Sequence, residues 1–282
     1  VFAFGEGAGG WGPPLIFRMM KPLRTRIAPT PSGYLHEGNA VNFMITWLKA
    51  RQSGAEILLR IDDADTDRAR PEYVQDIFDV LRWLGISWDI GPQTPAGLYS
   101  EWSQTHRTHR YQQVLSMLRD SGALFACSCT RSQIRQHDAA MRYTGECVGK
   151  GLSFQAPNVV WRLRTPHTMN LRYPVVRQRN GSPAYNLITV VDDVDYNITN
   201  IVRGADLEDA TAVQRYLAER LPCLSPFTDI TIEHHSLILD TEGAKLSKTA
   251  GSSPIDRNQA TLERIVSCAR ERAGEAWIAS GR

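Results

Sequence analysis

Five cysteines in 282 residues are too few, and too unevenly placed, for a disulfide scaffold, which favours a reducing compartment. No apolar run approaches the roughly 20 residues that a membrane-spanning helix needs. Charge of one sign is missing as well. Basic and acidic side chains number 32 and 30, a net charge of +2, so binding to nucleic acid would need a local basic face. The chain has no internal repeat, heptad pattern or low-complexity tract. What remains is 42% hydrophobic and 22% charged, the composition of an ordinary soluble globular protein. The length suits one good-sized core and a smaller appendage.

Val1 to Phe17 is rich in Gly and Pro and has no period. It lacks the basic start and continuous apolar centre of a targeting signal. Residues 1–20 are therefore read as a disordered or artefactual extension, with Met19 or Met20 as the natural start. Beyond it, Arg24 to Ala28 reads as a short buried strand entering the turn Pro29-Thr30-Pro31-Ser32-Gly33. From Gly38 the residues Val41, Met44, Ile45 and Leu48 fall on one helical face, which Gly54 ends. Glu56 to Ile61 is apolar enough for a strand inside a parallel sheet. Pro71 opens the next helix, with Val74, Ile77, Phe78, Leu81 and Leu84 facing inward, and another helix spans about Gln104 to Arg119. This rhythm predicts a doubly wound, Rossmann-like α/β domain.

The rhythm breaks at Cys127. From there to about Gly181 the sequence is irregular, with short β-like pieces at Val159 to Leu163 and Tyr173 to Arg177. The α/β character returns with Tyr185 to Val191, then Ile198 to Val202 and a helix near Ala212 to Leu221. Strand-like Ile230 to Leu239 leads into a lysine loop, and a final helix runs from about Asn258 to Arg272. The expected division is 21–126 and 181–222 as two halves of one catalytic domain, 127–180 as an insertion, and 223–282 as the lysine-loop region with a C-terminal helix.

Some residues can carry chemistry. His36-Glu37-Gly38 opens a helix after a Pro/Gly turn. There a ring N–H and free backbone amides can meet phosphates, and Gly38 lets a ligand approach the positive helix end. Lys245 and Lys248 lie in Lys245-Leu246-Ser247-Lys248-Thr249, a turn-like segment able to disperse charge forming on pyrophosphate. The acidic run Asp62 to Asp67 is not an EF-hand: counted from Asp63, the places for Gly and bidentate Glu hold Arg68 and Val74. The run at Asp193, Asp195 and Asn197 fails likewise, with Ile198 and Gly204 there. Cys127, Cys129 and Cys147 cluster within the irregular insertion. They suggest a structural zinc, supplying folding energy that a small insertion lacks. His137 is the conventional choice of fourth ligand.

The two phosphate-handling elements together resemble the "HIGH" and "KMSKS" signatures of the class I aminoacyl-tRNA synthetases, with Asn39 in place of the second histidine. Leu59-Arg60-Ile61-Asp62-Asp63-Ala64-Asp65 resembles the "LRIEDTD" segment of glutamyl-tRNA synthetases. So do Arg24 to Gly33, Tyr185-Asn186-Leu187 and Ile201 to Leu207. The resemblance covers roughly Arg24 to Thr249. It implies that His36, Gly38, Asn39 and Lys248 bind ATP, with His36, Lys245 and Lys248 catalytic. Arg26 and Arg203 would grip the two carboxylates of a substrate, with Thr30 and Tyr185 lining the pocket. Asp62, one methylene shorter than the family's Glu, would face its ammonium group. Two guanidinium forks and one acid suit a dicarboxylic amino acid, and such a pocket rejects neutral analogues.

Cys-x-Cys…Tyr-x-x-x-Cys further resembles the glutamyl-queuosine branch, where Tyr143 would complete the zinc site in competition with His137. Only about one helix follows Thr249, so no anticodon-binding domain is expected. The resemblance is therefore to the shorter glutamyl-Q tRNA(Asp) synthetases. It implies adenylation of L-glutamate by ATP with Mg2+, then transfer to queuosine at the wobble position of tRNA(Asp). The alternatives are another acceptor (a tRNA 3′ end or a small molecule) or a catalytically silent RNA-binding paralogue. A cytoplasmic monomer without membrane association is expected.

Overall fold

The computed structural model describes residues 22–238, 254–274 and 277. Lys245 and Lys248, and the extension at 1–20, lie outside the described residues.

In chain order the elements are β1 (Arg24–Ile27), α1 (Glu37–Ser53), β2 (Glu56–Leu59), α2 (Pro71–Trp83), the single turn α3 (Pro95–Gly97), α4 (Thr108–Asp120), β3 (Leu124–Cys127), α5 (Arg131–His137), β4 (Val160–Leu163) and β5 (Val175–Arg177). Then follow α6 (Tyr185–Asp195), β6 (Asn200–Gly204), α7 (Glu208–Ala218), β7 (Thr231–His235) and α8 (Gln259–Ala273). Local chemistry explains several boundaries. Pro71 sits in the first turn of α2, where its missing N–H costs nothing. Gly54 ends α1 in the left-handed region at φ 64°.

β1 pairs in parallel with β2, and Ile90 adds a parallel bridge on the outer side of β2. β6 pairs in parallel with β7. The two pairs meet at Arg24 and Thr199: Thr199 N–H donates to the Arg24 carbonyl and Arg24 N–H to Thr199 Oγ1, both at 2.8 Å. The strand order changes direction at this junction, which is where open α/β sheets hold their ligands. Successive residues of β2 serve opposite layers. Ile57 and Leu59 join the core made by α1, α2 and α8, while Leu58 joins the one made by α4, α6 and α7. That alternation is why Glu56 to Leu59 reads as a continuous apolar run.

β3, β4 and β5 form a separate antiparallel sheet with its own small core of Phe125, Cys127, Ile134, Tyr143, Cys147, Val160 and Tyr173. The run Tyr185 to Val191 is helical, as α6, despite its β-branched composition. Leu187, Ile188, Val190 and Val191 are all buried, and a helix enclosed on most sides loses the period that separates it from a strand. Among the described residues no helix is long and apolar enough to cross a membrane.

Candidate active site and metal centre

The carboxyl ends of β1, β2 and β6 deliver arginines to one buried place, α6 delivers Asp192 and Asp193, and the segment after β2 delivers Asp62. Arg26 Nε lies 3.2 Å and Arg60 Nη1 2.7 Å from the same oxygen, Asp193 Oδ1. Arg60 also holds both oxygens of Asp62, at 2.7 and 3.2 Å. Gln104 Nε2 bridges Asp62 and Asp192 at 3.0 and 2.9 Å. Asp192 in turn accepts from Arg107 Nε and the Tyr111 hydroxyl, both at 2.9 Å. Buried charges persist only when paired and hydrogen-bonded in this way. Burial pushes the Asp62 carboxyl above its ordinary pKa, with the Arg60 guanidinium pulling the other way.

Arg203 departs from this pattern. It is 3% exposed. Among the described residues its Nη1 meets only neutral acceptors, Gln214 Oε1 at 2.8 Å and Thr211 Oγ1 at 3.2 Å. Its Nε and Nη2 are buried without a hydrogen-bond partner. Burial first, and the field of Arg26 second, pull its pKa down to about 10, against the opposing influence of Tyr185 and Asp193. Arg26, Arg203 and Tyr185 therefore share one electrostatic neighbourhood. Guanidinium groups are all but permanently charged, and among the described residues no carboxylate pairs directly with this one.

Tyr185, 43% exposed, opens into a cleft of about 920 Å3 whose lining includes Thr30, Asp62, Gln104, Cys129, Arg162 and Arg179. Three of the expected substrate contacts, Thr30, Asp62 and Tyr185, thus share one cavity. Asp62 reaches it with both oxygens already engaged by Arg60. His36 is the residue before α1, and its backbone N–H donates to Asn39 Oδ1 at 3.2 Å. The Asn39 side chain thereby caps the helix. Gly38 lies half-buried in the first turn.

The cysteine cluster forms as the spacing suggests. The sulfurs of Cys127, Cys129 and Cys147 all lie within 4.8 Å of one another, with Cys129 and Cys147 at 3.5 Å. Tetrahedral zinc thiolates at bond lengths of about 2.3 Å need sulfurs roughly 3.8 Å apart, so the residues fit such an ion. The Tyr143 hydroxyl accepts the Cys147 N–H at 2.8 Å, and its ring packs in the same small core as Cys127 and Cys147. His137, exposed at the end of α5, is not part of the group. Burial raises the Cys147 thiol, but hydrogen bonds from the Ser128 backbone and from Cys129, Tyr143 and Cys127 outweigh it and bring it down to about 7.

Several residues of this site escaped the sequence reading: Arg60, Gln104, Arg107, Thr211, Gln214 and the pair Asp192-Asp193. The one local signal was charge inside apolar runs, at Leu59-Arg60-Ile61 and Val190-Val191-Asp192-Asp193. A charge so placed is buried and needs a partner. The partner's identity is not written nearby.

The chain matches the family described as tRNA synthetases class I (E and Q), catalytic domain, over residues 22–153 and 159–263. It is 36% identical over 260 residues to a glutamyl-Q tRNA(Asp) synthetase of Nitratidesulfovibrio vulgaris, covering 80% of this chain and 78% of that one. It is 40% identical over 244 residues to the enzyme of the same name from Parasynechococcus marenigrum, covering 82% and 75%. The chain belongs to the glutamyl-Q tRNA(Asp) synthetase family. It is a ligase of the aminoacyl-tRNA synthetase type. Among solved structures, glutamate-tRNA synthetase from Elizabethkingia anophelis superposes with a TM-score of 0.68 at 25% identity, over 80% of this chain. The chain spans about half of that structure, 52%. The matched catalytic domain spans both the α/β core and the antiparallel sheet that carries the cysteines.

Proposed function

We propose that the chain activates L-glutamate with ATP and transfers the glutamyl group to queuosine at the wobble position of tRNA(Asp). The observation that carries this reading is the buried Arg203, which has no carboxylate partner among the described residues, beside Arg26 and Tyr185 in the catalytic domain of a ligase family. A carboxylate suits such a place, because it neutralises the guanidinium and fills its fork. Thr30 and Tyr185 line the pocket, and Asp62 presents its carboxylate to the ammonium group while Arg60 holds it in position.

In the first step a glutamate α-carboxylate oxygen attacks the α-phosphorus of ATP. The bond to the β-phosphate oxygen breaks and pyrophosphate leaves. No protein nucleophile is needed, so positioning and charge dispersal carry the catalysis. His36 and Gly38 hold the phosphates at the N-terminus of α1, with Asn39 setting the turn. Mg2+ accompanies the nucleotide, and Lys245 and Lys248, outside the described residues, disperse charge on the leaving pyrophosphate. In the second step a hydroxyl of the acceptor attacks the activated carbonyl carbon, AMP leaves, and the hydroxyl proton is lost.

The polyanionic partner suits the insertion. Between Leu124 and Ala184 nine Lys and Arg residues stand against only Asp138 and Glu146, in a chain whose net charge is +2. Apart from the buried Arg162 these cations are exposed or half-buried, so the segment can offer nucleic acid a locally basic surface. Cys127, Cys129, Cys147 and Tyr143 would hold a zinc ion there, which stabilises the fold of the module rather than taking part in either step.

Labelled glutamate offered to queuosine-containing and queuosine-free tRNA(Asp) tests the reading. Transfer to the queuosine-containing RNA alone is expected. Equal charging of both, or of neither, would end it.

A further inference from the structure

We infer that Gln214 and Thr211 are specificity-determining residues that orient Arg203 without neutralising it, keeping its charge for the anionic substrate. This rests on the reading of Arg203 as a carboxylate contact, and adds what makes that contact selective.

The contrast is between arginines whose fields reach one another. Arg26 and Arg60 are held by the carboxylate of Asp193, and Arg60 also by that of Asp62. Arg203 is held by an amide oxygen and a hydroxyl. Gln214 is fully buried, and its Nε2 donates to Asn186 Oδ1 at 3.2 Å. With the NH2 end engaged there, the carbonyl end faces the guanidinium. Thr211 Oγ1 is fixed at the same time by the Leu207 carbonyl at 3.0 Å and His234 Nε2 at 2.9 Å. Both holders come from one face of α7, three residues apart.

A neutral holder and an acidic one have opposite consequences at the same position. Glutamate has nearly the shape of glutamine, so an acid at 214 would hold Arg203 at least as firmly. It would also cancel the field that an incoming carboxylate experiences, and place a like charge beside it. A neutral substrate such as glutamine would not suffer that repulsion. The amide at 214 therefore favours an acidic over a neutral amino acid without touching either.

The test is amino-acid-dependent pyrophosphate exchange by the full chain with glutamate and with glutamine, for wild type, Gln214→Glu and Gln214→Met. Gln214→Glu is expected to raise the glutamate KM by about tenfold or more with a smaller change in kcat. The glutamate-to-glutamine ratio of kcat/KM should fall by a similar factor. Gln214→Met, which removes the acceptor but adds no charge, should leave that ratio near wild type. A folded Gln214→Glu protein with wild-type KM and ratio would overturn the inference, as would equal ratio losses in both variants. Should Gln214→Glu fail to unfold cooperatively, Thr211→Asp puts a charge on the same Nη1 and is judged by the same two quantities. A wild-type chain that exchanges with aspartate instead overturns only the glutamate reading, and the comparison is then decided on aspartate. A wild-type chain active with neutral amino acids alone overturns the inference itself.

Discussion

The guanidinium of Arg162 lies 3.8 Å from the centroid of the Tyr143 ring, whose hydroxyl accepts the Cys147 N–H at 2.8 Å. Arg162 is buried, and its Nη1 donates to the Tyr173 carbonyl at 2.8 Å. Its charge is therefore held by a ring face and a carbonyl beside a cluster of thiols. A desolvated cation–π contact contributes about 2 kcal/mol. Arg162→Met should lower the stability of the insertion by about that much, read as a fall in the denaturation midpoint of the Trp161 fluorescence signal. An unchanged midpoint would show that the stacking is incidental.

Metal analysis of the purified protein should return about one zinc per chain. Cys147→Ser should abolish it, while His137→Ala should not. Retention of zinc by the serine variant, or its loss from the alanine variant, would reassign the ligands. Chelation should unfold β3, β4 and β5, whose core contains the cysteines and Tyr143.

Asp193 anchors two arginines through one fully buried oxygen. Asp193→Asn keeps the shape and removes the charge, leaving Arg26 and Arg60 without their common partner. Breaking a buried pair from one side costs about 3 kcal/mol or more. Urea unfolding should show a midpoint shift of that order, and a shift below about 1 kcal/mol would mean that the arginines find other partners.

Burial, assisted by Arg272, holds His235 below the ordinary imidazole pKa, while a hydrogen bond to the Ser236 carbonyl works against it. Its Nε2 lies 3.0 Å from Asn42 Oδ1 on α1, and Asp206 is the acid that faces it. The native state thus binds the proton less readily than the unfolded chain. The stability this gives is complete above about pH 6.5, the ordinary imidazole value, and declines as pH falls through that value toward the lowered native one. Unfolding measured from pH 8 to pH 5 should therefore show a loss at the acid end that His235→Gln reduces. Identical slopes for both proteins would remove His235 as the cause.

Lys248→Ala should slow adenylation by about 100- to 1000-fold while glutamate affinity stays close to wild type. Rapid-quench formation of glutamyl-adenylate against equilibrium binding separates the two quantities. Equal losses in both would contradict a role confined to the leaving pyrophosphate.

Much of the scaffold was legible in the sequence. Pro71, Gly54 and the spacing of Val41, Met44 and Ile45 mark α1 and α2 because helix period and capping are local properties. Cys127, Cys129 and Cys147 were legible for a related reason, since few residue types can hold zinc. The run Tyr185 to Val191 was not legible as a helix, because residues buried on most sides carry no period. Asn39 was legible only as part of a motif, and its action as a cap on the His36 N–H needed coordinates.

By itself the sequence determined that this is an α/β chain with a cysteine-bearing insertion, because periodicity, turn chemistry and ligand type act over a few residues. Only the tertiary structure decided which charges are paired. Asp193 meets Arg26 and Arg60 across 167 and 133 positions, and Arg203 meets no acid among the described residues. A charge in water has no preferred partner. Enclosed among apolar side chains it must find one or keep its field, and the packing of α6 and α7 with β6 settles which.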